Sequence, residues 1–292
     1  MTLETAFNAF KIEQQIRGNS TETLKYYCYC VNPLIKQLGG DSPVEGLNLK
    51  QLKLYTVKLQ SSGITSNSVK SYVKGLKAFL SWLYSEQYIN ENLGHELKLP
   101  KAKRKVIDVL TDGEIKRLFS CFDTKTFLGI RNYCMCALMV DSGLRKSELI
   151  RLKTTDLHIS EGYILVNGKG NKQRIVPIGL NTQKYLIRYL AYRTSLSRVE
   201  QLFITQQNTP ITACVIERLF KKLKKDCLTP RLHPHLLRHT FATRYLENGG
   251  NMYTLQQILG HSSLEMVKKY VHLTSQKNVV YFSSFSPLDN IG

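Results

Sequence analysis

Along the first hundred residues apolar side chains recur at the three-to-four spacing of amphipathic helices. Ala6, Phe7, Phe10 and Ile16 mark one such stripe over 5–16. Ser20 then reads as an N-cap, with Glu22 and Thr23 in the first turn, ahead of Leu24, Tyr27 and Val31. A third helix is predicted over 49–59, and Ser66-Asn67-Ser68 opens a fourth that carries Val69, Tyr72, Leu76, Leu80 and Leu83. Gly39-Gly40, Pro43 and Gly63 punctuate the joints. The pattern predicts a compact all-helical domain over 1–98.

The pattern breaks at Leu99-Pro100, and 99–106 reads as a basic linker holding Lys101, Lys103, Arg104 and Lys105. A second domain is predicted over 107–275. Thr111 followed by Glu114 three residues later makes a capping box. Helices are expected over 127–141 and 146–152. Two short β-branched runs, 163–166 and 174–177, flank the glycine-rich, positively charged turn 167–172, which predicts a β-hairpin. Helices resume over 181–192, 212–226, 234–247, 252–259 and 264–270. The tail 276–292 contains the apolar run Val279-Val280-Tyr281-Phe282. The expected fold is mainly α with a small β-hairpin or sheet: a helical N-terminal domain followed by an α+β domain.

Charge narrows the function. The 292-residue chain has a formal net charge of +19. The first fifty residues balance five basic against five acidic side chains, so the excess lies further on, chiefly between Lys53 and Arg244. That distribution suits a contact surface for a polyanion, nucleic acid first and an anionic membrane surface second. No apolar run approaches the roughly 18 residues of a spanning helix. Met1-Thr2-Leu3-Glu4 lacks a signal-peptide pattern, so a cytoplasmic protein is expected. Seven cysteines, an odd number in a chain of this size, are expected to be reduced, buried thiols.

Three segments carry candidate chemistry. Arg145 stands at a predicted helix start after Gly143, where a tight turn and a helix N-terminus favour an anion. His235 and Arg238 are three residues apart, hence on one helix face. His261 follows Leu259-Gly260, and Tyr270 lies nine residues beyond it. His233, His235 and His239 invite a zinc reading, but Pro234 breaks their helical relation and no H-E-x-x-H pattern surrounds them. His239 is expected to be satisfied by a backbone carbonyl. Phosphodiester exchange asks for planar cations on the phosphate oxygens, a nucleophile, and an acid for the leaving oxygen. These segments and the hairpin lysines offer each.

Taken in order, Gly143-Leu144-Arg145-Lys146-Ser147-Glu148-Leu149, Gly168-Lys169-Gly170-Asn171-Lys172-Gln173-Arg174, the run from His233 to Thr243, and Leu259-Gly260-His261 with Tyr270-Val271-His272 resemble the tyrosine recombinases. Within that family the likeness is to the short, two-domain Xer-like group. The resemblance implies a SAM-like core-binding domain and a catalytic domain that cleaves and rejoins DNA through a 3′-phosphotyrosyl link. It implies that Arg145 and Arg238 clamp the scissile phosphate and that Lys169 protonates the 5′ oxygen, with Lys172 as the alternative acid. It implies that His235 handles the tyrosine proton, His261 bonds the phosphate, and Tyr270 attacks. Glu148 would brace the first arginine. Tyr281 is a rival nucleophile on paper but lacks the spacing from His261. His233 stands where the family often has a small hydroxyl residue, and Asp141 before Ser142-Gly143 is less usual.

The resemblance further implies no metal, ATP or other cofactor, since the phosphotyrosine ester stores the energy of the broken bond. The implied partner is double-stranded DNA with paired inverted-repeat sites. A tetrameric synapse on two sites, accessory proteins, residence on the nucleoid and a mobile-element setting are also implied. The chain enters its helical domain at once, so no additional arm-binding domain is expected. Major-groove contact is assigned to Lys70, Lys74 and Lys77 on the fourth helix, and phosphate contact to Lys101, Lys103, Arg104, Lys105 and Lys172. The tail suits docking on a neighbouring protomer or on its own domain. A topoisomerase IB-like relaxing enzyme and a non-catalytic DNA-binding regulator on the same scaffold are the alternative readings.

Overall fold

The computed structural model describes residues 1–101, 107–168, 173–194, 199–261 and 263–274. The chain divides into two compact units, Met1–Lys105 and Val106–Gly292.

The first unit is built from α1 (Leu3–Ile16), α2 (Thr21–Leu38), α3 (Leu49–Ser61), α4 (Ser66–Ser85) and the single turn α5 (Leu93–Glu96). Thr2, Ser20, Asn48 and Thr65 each accept the backbone N–H three residues on, at 3.2, 3.3, 3.0 and 3.2 Å. These bonds satisfy amides that helix starts leave without intrahelical partners. α2 runs through Pro33 and ends at Gly39. The apolar stripes of α1, α2 and α4 meet in one core. There Phe7 and Phe10 pack edge-on against Phe79 at 5.4 and 5.5 Å. Each such burial contributes about 1.5–3 kcal/mol. α5 lacks the length to show in a periodicity; Asn92 caps it by accepting from the His95 amide at 2.9 Å.

The second unit holds α6 (Asp112–Ser120), α7 (Phe127–Asp141), α8 (Lys146–Arg151), β1 (Leu157–His158), β2 (Tyr163–Asn167), β3 (Gln173–Pro177), α9 (Leu180–Thr194), α10 (Ala213–Asp226), α11 (Pro234–Glu247), α12 (Met252–Leu259) and α13 (Glu265–Thr274). α7 is apolar nearly all round, burying Ile130, Cys134, Met135, Cys136, Leu138 and Met139, and packs against α9 and α11. The strands form an antiparallel sheet in the order β1-β2-β3, with Ile164 opposite Val176 and Val166 opposite Arg174. Ile164, Val166 and Val176 turn inward. β1 is two residues long and carries no alternation to read, so the expected hairpin is a three-stranded sheet.

The start of the unit, 107–111, is pinned to its body. Arg231 bonds Glu114 at 2.7 Å and the Val109 carbonyl at 3.1 Å, and the Leu110 amide donates to Thr240 Oγ1 at 3.0 Å. All seven cysteines are free thiols. Cys30, Cys134, Cys136 and Cys227 are buried, but Cys214, in the first turn of α10, is exposed and corrects the expectation of burial. Four basic residues of the sequence reading, Lys103, Arg104 and Lys105 of the linker and Lys172 of the hairpin turn, lie outside the described residues, as do Lys169 and the tail from 275 onward. Among the described residues no helix is long and apolar enough to cross a membrane.

Candidate active site

Gly143 sets the first arginine. Its φ of +64° follows the end of α7, and an added Cβ there would meet Phe241 Cδ1 at 2.5 Å and Leu259 Cδ2 at 2.8 Å. Only glycine meets both demands without strain. The chain then turns into α8 with Arg145 as N-cap. Glu148, 3% exposed, accepts from the Arg145 amide and from Arg145 Nη1, both at 2.8 Å. Arg145 Nη2 reaches the Gly260 carbonyl at 3.4 Å.

Arg238 approaches the same place from α11. Its guanidinium, on a residue 4% exposed, donates to the Gly143 carbonyl and, through Nη2, to the Leu259 carbonyl at 2.7 Å. Nη2 also lies 3.0 Å from His261 Nε2, and Nη1 lies 4.0 Å from Glu148 Oε2. Burial and the adjacent Arg145 charge pull Arg238 down to about 10, so it stays protonated at neutral pH. Residues 145 and 238, far apart in the chain, thus converge on one carboxylate and on the turn after α12. Gly260 closes that turn in the left-handed region, φ +60°.

His235, in the first turn of α11, is largely exposed. Partial desolvation, then the charges of His233, Arg238, Arg145 and Lys146, lower its pKa below 6.5, which leaves a neutral imidazole able to take a proton. Tyr270 on α13 is 1% exposed. Burial raises its pKa above 10, while Arg238 and Arg145 pull the other way. Its hydroxyl lies 2.7 Å from His239 Nδ1. His239 was expected to settle on a backbone carbonyl; its Nδ1 lies against the phenol. Nothing in the sequence pairs a histidine with a tyrosine 31 residues later.

Sequence reasoning also missed Arg174. It shares the inward face of β3 with Val176, and its guanidinium grips Glu148 with both ends, Nη1 to Oε1 at 2.9 Å and Nη2 to Oε2 at 3.0 Å. Nε donates to the Ile258 carbonyl at 2.7 Å. Burial would push the Glu148 carboxyl up, but the bonds from Arg174 and then Arg145 hold it at about 2. The signal available was an arginine on the inward face of a strand.

The lysines expected to contact DNA divide. Lys74 and Lys101 are exposed and Lys70 is half-buried. Lys77 is engaged within its own unit, donating to the Leu97 carbonyl at 2.6 Å and the His95 carbonyl at 3.3 Å. Its ammonium ties α4 to the chain after α5, which restrains it from reaching outward. Among the described residues no group of three His, Cys, Asp or Glu side chains is placed to hold a metal ion.

A family model described as the phage integrase family matches residues 108–277, more than half of the chain. The chain belongs to the phage integrase family. It is 32% identical over 284 residues to the tyrosine recombinase XerC of Bacillus pumilus, covering 94% of this chain and 93% of that protein. It is 28% identical over 291 residues to the tyrosine recombinase XerD of Oceanobacillus iheyensis, covering 98% of each. The XerA recombinase crystal structure shares 26% identity at a TM-score of 0.55, covering 97% of this chain and 99% of that one. A lambda integrase dimer bound to a core site has the same fold, with a TM-score of 0.75 at 20% identity over 92% of this chain and 95% of that one. The family member is thus a Xer-like tyrosine recombinase, an enzyme of site-specific DNA recombination. Full-length likeness to Xer recombinases does not favour the relaxing-enzyme or regulator readings.

Proposed function

We propose that Tyr270 is the nucleophile and that Arg145, Arg238, His235 and His261 surround the scissile phosphate. The convergence of Arg145 and Arg238 on Glu148 and on the turn holding His261, with the phenol inside their field, carries this reading. The phenol oxygen attacks phosphorus, the bond to the 5′ oxygen breaks, and a 3′-phosphotyrosyl link forms. His235, neutral at pH 7, accepts the phenol proton. Lys169 gives a proton to the leaving 5′ oxygen. Arg145 and Arg238 hold the non-bridging oxygens as the pentavalent state gains charge, a fixed electrostatic role of the kind that dominates such catalysis. The ester retains the energy of the broken bond, so the reverse attack by a 5′-hydroxyl reseals the strand.

The partner in this reading is duplex DNA with paired inverted-repeat sites, bound by four copies in a synapse on two sites, with accessory proteins setting its timing. The helical unit supplies core-site contact, with Lys70 and Lys74 in the major groove and the basic segment 101–105 on phosphates. A cytoplasmic, nucleoid-associated location follows.

The test is covalent capture. A pool of nicked duplexes randomised over about three helical turns is incubated with the protein, and adducts that survive SDS are sequenced. Wild type is expected to yield a phosphotyrosyl adduct on a recurrent sequence, and Tyr270→Phe none. An adduct that persists in Tyr270→Phe refutes the assignment.

A further inference from the structure

We propose that Arg174 is a positioning residue that supplies the counter-charge for Glu148 and thereby leaves the charges of Arg145 and Arg238 available to the phosphate. The proposal rests on the reading of Tyr270 and the two arginines above.

Glu148 is needed where it is. Its carboxylate fixes both the amide and the guanidinium of Arg145. A buried carboxylate against a single arginine would, however, form a neutral pair. Arg145 would then face the phosphate with its charge already spent. Arg174 removes that cost by covering both carboxylate oxygens in a parallel two-bond grip. Three guanidinium groups and one carboxylate leave two positive charges in the cluster. That is the charge a phosphodiester approaches with opposite sign as it passes from a monoanion to a pentavalent dianion.

Arg174 also bridges three elements. Arg174 comes from β3, Glu148 from α8, and the third bond of Arg174 goes to the Ile258 carbonyl on α12. Gly260 lies directly on the guanidinium: an added Cβ there would stand 3.1 Å from Arg174 Cδ and Nη1. Gly260 also offers its carbonyl to Arg145, and His261 follows it. One side chain, 11% exposed, therefore underlies the clamp arginine and the turn that carries the phosphate-facing histidine. A lysine could supply the charge at this position but not the two-pronged grip together with the third bond.

The experiment uses the full chain and the duplex recovered by covalent capture, with single-turnover formation of the phosphotyrosyl adduct as the readout. Arg174→Gln is expected to slow adduct formation roughly 10–100-fold, the usual loss for a partner that holds a reacting group in place. Affinity for the duplex should change by less than about threefold, because Arg174 itself is covered. Arg174→Lys should recover part of the rate. Glu148→Gln is the discriminating background. With the carboxylate neutral, Arg174 has no charge to compensate and only its hold on the turn after α12 remains, so adding Arg174→Gln to Glu148→Gln should slow the rate by a clearly smaller factor than it does in wild type. A side chain that merely packs would cost the same factor in both backgrounds, and that result overturns the proposal, as does an Arg174→Gln rate within threefold of wild type. If Arg174→Gln alone does not fold, the same comparison is made with Arg174→Lys in the two backgrounds and decides in the same way. Absence of any adduct with wild type overturns the nucleophile reading instead, and the two failures are distinct.

Discussion

Glu148→Gln tests the charge cluster through stability, with no DNA present. The substitution keeps the shape and one acceptor oxygen but leaves Arg145, Arg174 and Arg238 without their shared anion. The magnitude follows from the carboxyl's displacement from 4.5 to about 2. At about 1.4 kcal/mol per tenfold change in proton affinity, this makes the ionised form worth about 3 kcal/mol to the folded state. Removing one side of a buried ion pair typically costs 3–5 kcal/mol, so the two routes agree at about 3 kcal/mol. The folded-state pKa lies below the unfolded one, so this stability is present above about pH 5. It is lost as pH falls toward 2, with about half gone by pH 3. Urea unfolding followed by circular dichroism should show the gap between wild type and variant at pH 7.5 and its narrowing at pH 3. Trp82, the single tryptophan, sits in the first unit, so its fluorescence separates that unit's transition from the second. A gap under about 1 kcal/mol at pH 7.5, or one of equal size at both pH values, refutes the account of the cluster.

Gly143→Ala should destabilise the second unit by about 3 kcal/mol, from left-handed strain plus overpacking against Phe241 and Leu259. Denaturant titration checks it, and a loss below about 0.5 kcal/mol would remove the steric reason for glycine before Arg145. His239→Phe deletes the 2.7 Å contact with the Tyr270 hydroxyl and should cost about 1 kcal/mol, the usual net contribution of one such hydrogen bond. Hydrogen exchange should show faster opening of α13, and unchanged protection there would mean that this contact does not hold the helix in place.

Much of the fold is legible in the sequence because its elements are long and one-sided. α1 through α4 each bury one stripe, and each begins at a residue whose side chain accepts an amide, so period and cap agree. The elements that escaped are short. α5 is four residues and β1 is two, below the length at which either period repeats, and both exist because neighbours hold them. Lys77 shows the limit on the surface: helical spacing puts it beside Lys74, yet only the fold reveals two carbonyls within its reach.

The site divides along a similar line. Arg145, His235, Arg238, His261 and Tyr270 enter the proposed site through motifs, because each motif is local and its residue type suits phosphate chemistry. Arg174 and His239 do not, although both lie inside the motifs that were read. Each acts on a partner from another segment, Arg174 on Glu148 26 residues back and His239 on Tyr270 31 residues ahead. No period or spacing encodes such pairs. Their necessity comes from burial: a carboxylate at 3% exposure and a phenol at 1% both require polar partners, and the chain supplies them from whichever element passes nearby. The residues proposed to face the phosphate are therefore written in the sequence as chemistry, whereas the partners that hold their neighbours in place are written only as geometry.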